Sequence, residues 1–137
     1  NQSYIFDEVL YRKGMTNRDI SNFLKNENVK ERIVADSSEP KSINEIQSYG
    51  FTISGFKKFP NSVVYGINLM NQNEIYVTKR SLNLIKELRG YVWAKDKDGN
   101  TIQKPQSYPI HPDCIDAARY CLMDHLENPN KGKYYIY

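Results

Sequence analysis

The apolar and polar positions change period several times along the chain, and each change marks an element. "SYIFDEVLYRKG" alternates and is aromatic-rich, which predicts a strand. "TNRDISNFLKNEN" switches to helical spacing, with Ile20, Phe23 and Leu24 on one face. Thr16 followed by Asp19 resembles a capping box at its start. "ERIVAD" returns to a strand. "KSINEIQSYG" predicts a short helix with Ser42 and Glu45 as its capping box and Gly50 as its stop. "FTISGF" is a brief strand, and "SVVYGINLMN" has helical spacing at Val63, Ile67 and Met70. "EIYVTK" is a strand, and "SLNLIKELRGY" a helix with Leu82, Ile85 and Leu88 on one side. Residues 90–106 read as a β-hairpin turning at Asp98-Gly99-Asn100. "PDCIDAARYCLMDHL" is a helix with Ile115, Ala118 and Leu122 inward, and the tail "ENPNKGKYYIY" supplies either a loose end or a last strand. Strands alternating with helices predict an α/β fold.

The chain's 137 residues suit one domain, 1–137, and 39% hydrophobic against 26% charged residues is a globular balance. No apolar run is long enough to span a membrane, and Asn1–Phe6 lacks the features of a signal peptide. The missing initial methionine suggests a piece of something longer. A net charge of +3 permits nucleic-acid binding without demanding it. Clustering says more: Lys57-Lys58, Lys79-Arg80, Lys86 with Arg89, and Lys95 with Lys97 each gather charge, though a solvated surface explains such clusters too. Cys114 and Cys121 are seven apart; at ~1.5 Å per residue a helix holds them ~10 Å apart, too far for a disulfide. Two unpaired thiols suit a reducing compartment, and neither has the neighbours of a zinc site.

The carboxylates are the candidate chemistry. Asp36 ends a strand, where α/β sheets collect their sites. The local reading is that Asp36 accepts hydrogen bonds from the Ser37-Ser38 turn. Asp116 sits in the last helix, one turn beyond Asp113, with Arg119 or Arg89 as a prospective ion-pair partner. Asp113 also reads as a first-turn acid favoured by the helix dipole. Two carboxylates ~4 Å apart repel by ~4 kcal/mol at an effective dielectric of 20, and a divalent metal removes that repulsion. All-oxygen donors suit Mg²⁺ or Mn²⁺, and a pair of such ions supports phosphodiester hydrolysis. Asp7-Glu8 reads as an edge feature, Glu39 as a helix-start acid, and Trp93 and most tyrosines as core.

Several stretches together resemble one family. "YIFDEVLYRKGMTNRDI", "IVADSSEPKSINEIQSYGF", "GFKKFPNSVVYGINLMNQNEIYVTKRSLNLIKELRGYVWAKDKDGN" and "DCIDAARY" look like the C-terminal nuclease domain of tailed-phage terminase large subunits. The resemblance runs in order over nearly the whole chain. It implies an RNase H-like mixed sheet flanked by helices. It also implies a metal-dependent endonuclease that cuts concatemeric double-stranded DNA during packaging in the bacterial host cytoplasm. Of the family's three acidic positions, the second matches Asp36 and the third, ahead of Ala-x-Arg-Tyr, matches Asp116. A site of one or two Mg²⁺ or Mn²⁺ ions on these residues is implied, with Asp113 as an additional ligand where the family usually has His. The first acid belongs to an Asp-x-Gly strand upstream of "YIFDE", so the first strands of the fold are expected to lie before this chain, leaving it weakly active or inactive by itself. Implied partners are the terminase ATPase domain, the small terminase subunit and the portal. Lys57, Lys58, Lys95 and Lys97 are candidates for gripping DNA phosphates. The alternative expectation is a truncated, inactive fragment that serves only as a DNA-binding or assembly module.

Overall fold

The computed structural model describes residues 3–107 and 111–127. The order is β1 (Ser3–Phe6), α1 (Asn17–Asn26), β2 (Ile33–Asp36), α2 (Pro40–Ser48), β3 (Ile53–Phe56), α3 (Ser62–Gln72), β4 (Glu74–Val77), α4 (Leu82–Gly90), β5 (Tyr91–Lys95), β6 (Thr101–Ser107) and α5 (Asp113–Glu127). The fold is mixed α/β. Among the described residues its strands form three two-stranded ladders, β1–β4, β2–β3 and β5–β6. The first two are parallel and the third antiparallel. The tail after Glu127, with its prospective strand, lies outside the described residues. The chain divides into two compact units, one of Asn1–Tyr11 with Phe59–Met123, the other of Arg12–Lys58 with the residues from Asp124 onward.

In the second unit, α1 begins at a full capping box. The Thr16 hydroxyl accepts from the Asp19 amide at 3.0 Å, and the Asp19 carboxylate accepts from the Thr16 amide at 2.9 Å. The face expected from Ile20 and Leu24 packs on a core of Ile43, Ile46 and Ile53, together with Ile33, Ala35 and Phe51. The capping box expected at Ser42 does not form. Helix α2 starts three residues earlier, with Glu39 at the cap position and then Pro40, whose missing N–H and preset φ suit the first helical position. The Ser42 hydroxyl instead accepts from Asn17 Nδ2 at 3.2 Å, tying α2 to α1. Gly50 ends the helix as expected, at φ +100°. β2 and β3 run side by side with Ile33 opposite Ile53 and Asp36 opposite Phe56. A Cβ at Gly55 would lie 3.0 Å from the Ser37 Cβ, so glycine lets the turn after Asp36 close over β3.

In the first unit, β1 stops at Phe6, shorter than the alternating pattern suggested, because Asp7 and Glu8 turn aside to polar partners. Asp7 accepts from the Arg80 Nε at 2.7 Å and from the Thr78 hydroxyl at 2.6 Å. Glu8 accepts from the Asn83 and Leu84 amides at 2.9 and 3.0 Å, at the start of α4. The expected inward face of α4 is corrected as well: Leu82 is 70% exposed, whereas Leu84 and Glu87 are buried. Glu87 faces inward because its carboxylate is claimed by α5. Helix α5 buries Ile115 and Leu122 as expected, and with them Arg119, Tyr120 and Met123. The β5–β6 hairpin turns through Asp96, whose carboxylate accepts from the Asp98 and Asn100 amides, both at 2.9 Å.

Candidate active site

Asp36 closes β2 with its side chain 46% exposed. Its Oδ1 accepts from the Ser38 amide at 2.9 Å, the turn bond expected of an Asp in this position. The same oxygen lies 2.8 Å from Lys58 Nζ. The Lys58 ammonium, helped by the Ser38 amide, holds the Asp36 carboxyl down at about 2. Asp36 is therefore a fixed anion at any physiological pH. Lys58, a candidate for DNA phosphate, is committed at least in part to this carboxylate. Neighbouring Lys57 is exposed, and so is Glu39, which stands at the start of α2 with no side-chain capping bond.

Asp113 and Asp116 lie in the first turn of α5, in the other unit. Asp113 is exposed, and its Oδ1 meets His111 Nδ1 at 2.7 Å. The histidine near this acid is thus a partner of Asp113. Asp116 is only 27% exposed, and its Oδ1 accepts from an Arg119 guanidinium nitrogen at 3.3 Å. Of the two arginines considered from sequence, Arg119 is the one that pairs with it. Burial pushes the Asp116 carboxyl up from the ordinary value; Arg119 pulls against that push, and the nearby Asp113 charge adds to it.

Arg119 is an unusual counter-charge, because it is 2% exposed. Its guanidinium lies 4.7 Å over the Tyr120 ring, and among the described residues its Nε has no hydrogen-bond partner. It fits only because residue 66 is glycine: a Cβ there would stand 2.6 Å from the Arg119 Cγ and Cδ and 2.6 Å from the Met123 Sδ.

The start of α5 is fixed by a residue that the sequence pattern placed outside the site. Glu87 Oε2 accepts from the Cys114 amide at 3.1 Å, and Oε1 from the Ile115 amide at 3.0 Å. The Cys114 thiol is pushed up to about 12, first by burial and then by its own hydrogen bond to Glu87. Periodicity offered no signal for this role, since the partners are 27 and 28 residues apart. Cys114 and Cys121 form no disulfide with each other, as their spacing required. Lys95 and Lys97 lie exposed at the hairpin end, alternating with Asp96 and Asp98. Among the described residues no three His, Cys, Asp or Glu side chains converge as a ready metal cage, and no helix is long and apolar enough to cross a membrane.

The chain's relatives agree with the resemblance read from its motifs. The family model for the terminase RNase H-like domain matches residues 1–124. The PBSX phage terminase large subunit of Bacillus subtilis (strain 168) is 33% identical over 123 residues, covering 89% of this chain and 28% of that protein. The terminase large subunit of Bacillus phage SPP1 is 33% identical over 126 residues, 89% of this chain and 29% of its own length. The chain thus spans less than a third of these relatives. Among solved structures, the large-terminase (g2p) nuclease domain of bacteriophage SPP1 with bound Mn matches with a TM-score of 0.73 and 32% identity, over 88% of this chain and 69% of that one. The aspartate closing β2, the paired acids opening α5 and the α/β frame around them therefore belong to a member of the terminase RNase H-like domain family.

Proposed function

We propose that this chain is the catalytic part of a metal-dependent DNA endonuclease, one that cuts concatemeric double-stranded DNA as a phage packages its genome. The observation that carries the reading is the likeness to the SPP1 nuclease domain with bound Mn, at 32% identity over 88% of this chain. Asp36 and Asp116 are assigned as the metal ligands and Asp113 as an additional one. Their donor chemistry fits: all three offer hard carboxylate oxygens, which suit Mg²⁺ or Mn²⁺. Asp36 is ionised and half-exposed, and its Oδ1 takes both the Ser38 amide and Lys58. Asp116 is a desolvated carboxylate whose nearest cationic nitrogen is at 3.3 Å, so a cation would relieve the cost of its burial. When bound, one or two such ions would activate water and stabilise the leaving oxygen. This chain's own residues hold the anions in place: Ser38 and Lys58 at Asp36, Arg119 at Asp116, His111 at Asp113.

Lys57, Lys95 and Lys97 are assigned to DNA phosphate contacts, together with Lys58 once a metal takes over Asp36. The work would take place in the bacterial host's cytoplasm, with the ATPase domain, the small terminase subunit and the portal as partners. The test is a plasmid-nicking assay with Mn²⁺ or Mg²⁺, run on this chain and on the full-length protein from its gene. Asp36→Ala and Asp116→Ala are expected to abolish metal-dependent cutting by the full-length protein. Cutting that survives both substitutions overturns the site assignment. DNA binding without any metal-dependent cutting in either form would favour the assembly-module reading.

A further inference from the structure

We propose that Glu87 is a positioning residue for the acids of α5: its two-oxygen cap on the Cys114 and Ile115 amides sets where Asp113 and Asp116 are presented. The inference rests on the reading of these two acids as metal ligands. The first N–H groups of a helix have no partner within it. A neighbouring Ser, Thr, Asp or Asn normally serves them. Here the residues just before α5 are His111 and Pro112; proline brings no acceptor side chain, and the histidine ring turns to Asp113. The acceptor comes instead from α4, as a carboxylate only 2% exposed. A carboxylate so far from water is costly unless hydrogen-bonded, and two amides at the positive end of a helix meet that need.

The geometry makes the cap directional. One oxygen serves each amide, so a rotation of the α5 start breaks one bond or the other. The two capped amides lie between the two acids in sequence: Asp113 precedes Cys114, and Asp116 follows Ile115. Any slackening of the cap moves both acids at once. One helix earlier the same device recurs, with Glu8 accepting from the Asn83 and Leu84 amides at the start of α4 and from the Asn83 side chain at 2.7 Å. The position of Asp116 is therefore referred back, cap by cap, to the end of β1.

The experiment compares Glu87→Gln, Glu8→Gln and a control, Thr16→Ala, which removes an ordinary local cap in the second unit. Glu87→Gln keeps the shape but turns one acceptor into a donor aimed at an N–H. Amide exchange by NMR is expected to quicken at Cys114 and Ile115 in Glu87→Gln and not in the control. Mn²⁺ binding, followed by the EPR signal of the free ion, is expected to weaken about tenfold or more, the range typical of residues that orient metal ligands. Glu8→Gln is expected to loosen Asn83 and Leu84 first and to weaken Mn²⁺ less; it carries the test if Glu87→Gln does not fold. Unchanged exchange at the capped amides, or loosened amides with unaltered Mn²⁺ affinity, overturns the proposal. If the unmodified chain by itself binds no Mn²⁺, the ligand assignment is judged by cutting in the full-length protein. Glu87 is then judged by the Asp116 carboxyl ¹³C resonance, which must shift in Glu87→Gln and stay put in Thr16→Ala.

Discussion

Asp36 and Asp116 are the same residue type in two settings, and the settings push them in opposite directions. Asp36 is half-exposed, bonded within its own turn and paired with a lysine, and its carboxyl is held down at about 2. Asp116 is mostly buried, leans on an arginine that is itself buried, and has its carboxyl pushed up. A helix start in each unit shows a second difference. α1 is capped by residues three apart, α5 by a carboxylate 27 and 28 residues upstream. Exposure beside a lysine yields a stable anion; burial yields a costly one that gains more from a bound cation.

The largest effect expected on this contrast comes from Arg119→Ala. Removing one member of a mostly buried ion pair, and its packing, should cost about 3 kcal/mol. Asp116 then loses the charge that opposes its upward shift. A carboxyl raised in the folded state binds protons more readily folded than unfolded, so folding gains as pH falls through its folded value. The Arg119→Ala deficit, measured by denaturant unfolding, should therefore be larger at neutral pH than in mild acid; a deficit independent of pH would break the comparison. Gly66→Ala attacks the same arginine from α3. A Cβ 2.6 Å from two of its carbons forces it aside, at a cost of about 2 kcal/mol typical of overpacking. Thermal unfolding measures that cost, and a neutral result would show that Arg119 has room to spare.

Thr16→Ala probes the locally wired unit and should cost about 1 kcal/mol, the usual value of an N-cap. The smallest change in stability belongs to Lys58→Met. Asp36 loses the largest influence holding it down, so its carboxyl should climb from about 2 toward the ordinary value, read by ¹³C titration. The sign follows: a depressed carboxyl stabilises the fold above its unfolded value and loses that contribution as pH falls through its folded one. The acid sensitivity of the native chain between about pH 4 and 2 should flatten in the variant. An Asp36 titration unmoved by the substitution would mean that the turn alone sets its charge.

What the sequence made legible follows the same division. The Thr16–Asp19 box, the strand ending at Asp36 and the stop at Gly50 are each written within a few residues, and each stands in the structure. Ser42 misled because Pro40 starts the helix earlier and leaves the serine hydroxyl to Asn17. The α4 face misled because an apolar stripe through Leu82 and Leu88 outvoted a glutamate whose reason for facing inward lies on another helix. The motifs around Asp36 and Asp116 carried the family. They did not show that Arg119 is buried, that Gly66 makes space for it, or that Glu87 caps the helix, because these depend on contacts between distant stretches of chain.

The burial of Cys114, with Glu87 beside it, also changes what α5 offers to reagents. With its thiol pushed up to about 12, Cys114 holds roughly one part in 10⁵ as the reactive thiolate at neutral pH. Cys121, two turns further along the same helix, is exposed. A maleimide or spin label mixed with the unmodified protein should thus settle at Cys121, giving a reporter on α5 without any engineered cysteine.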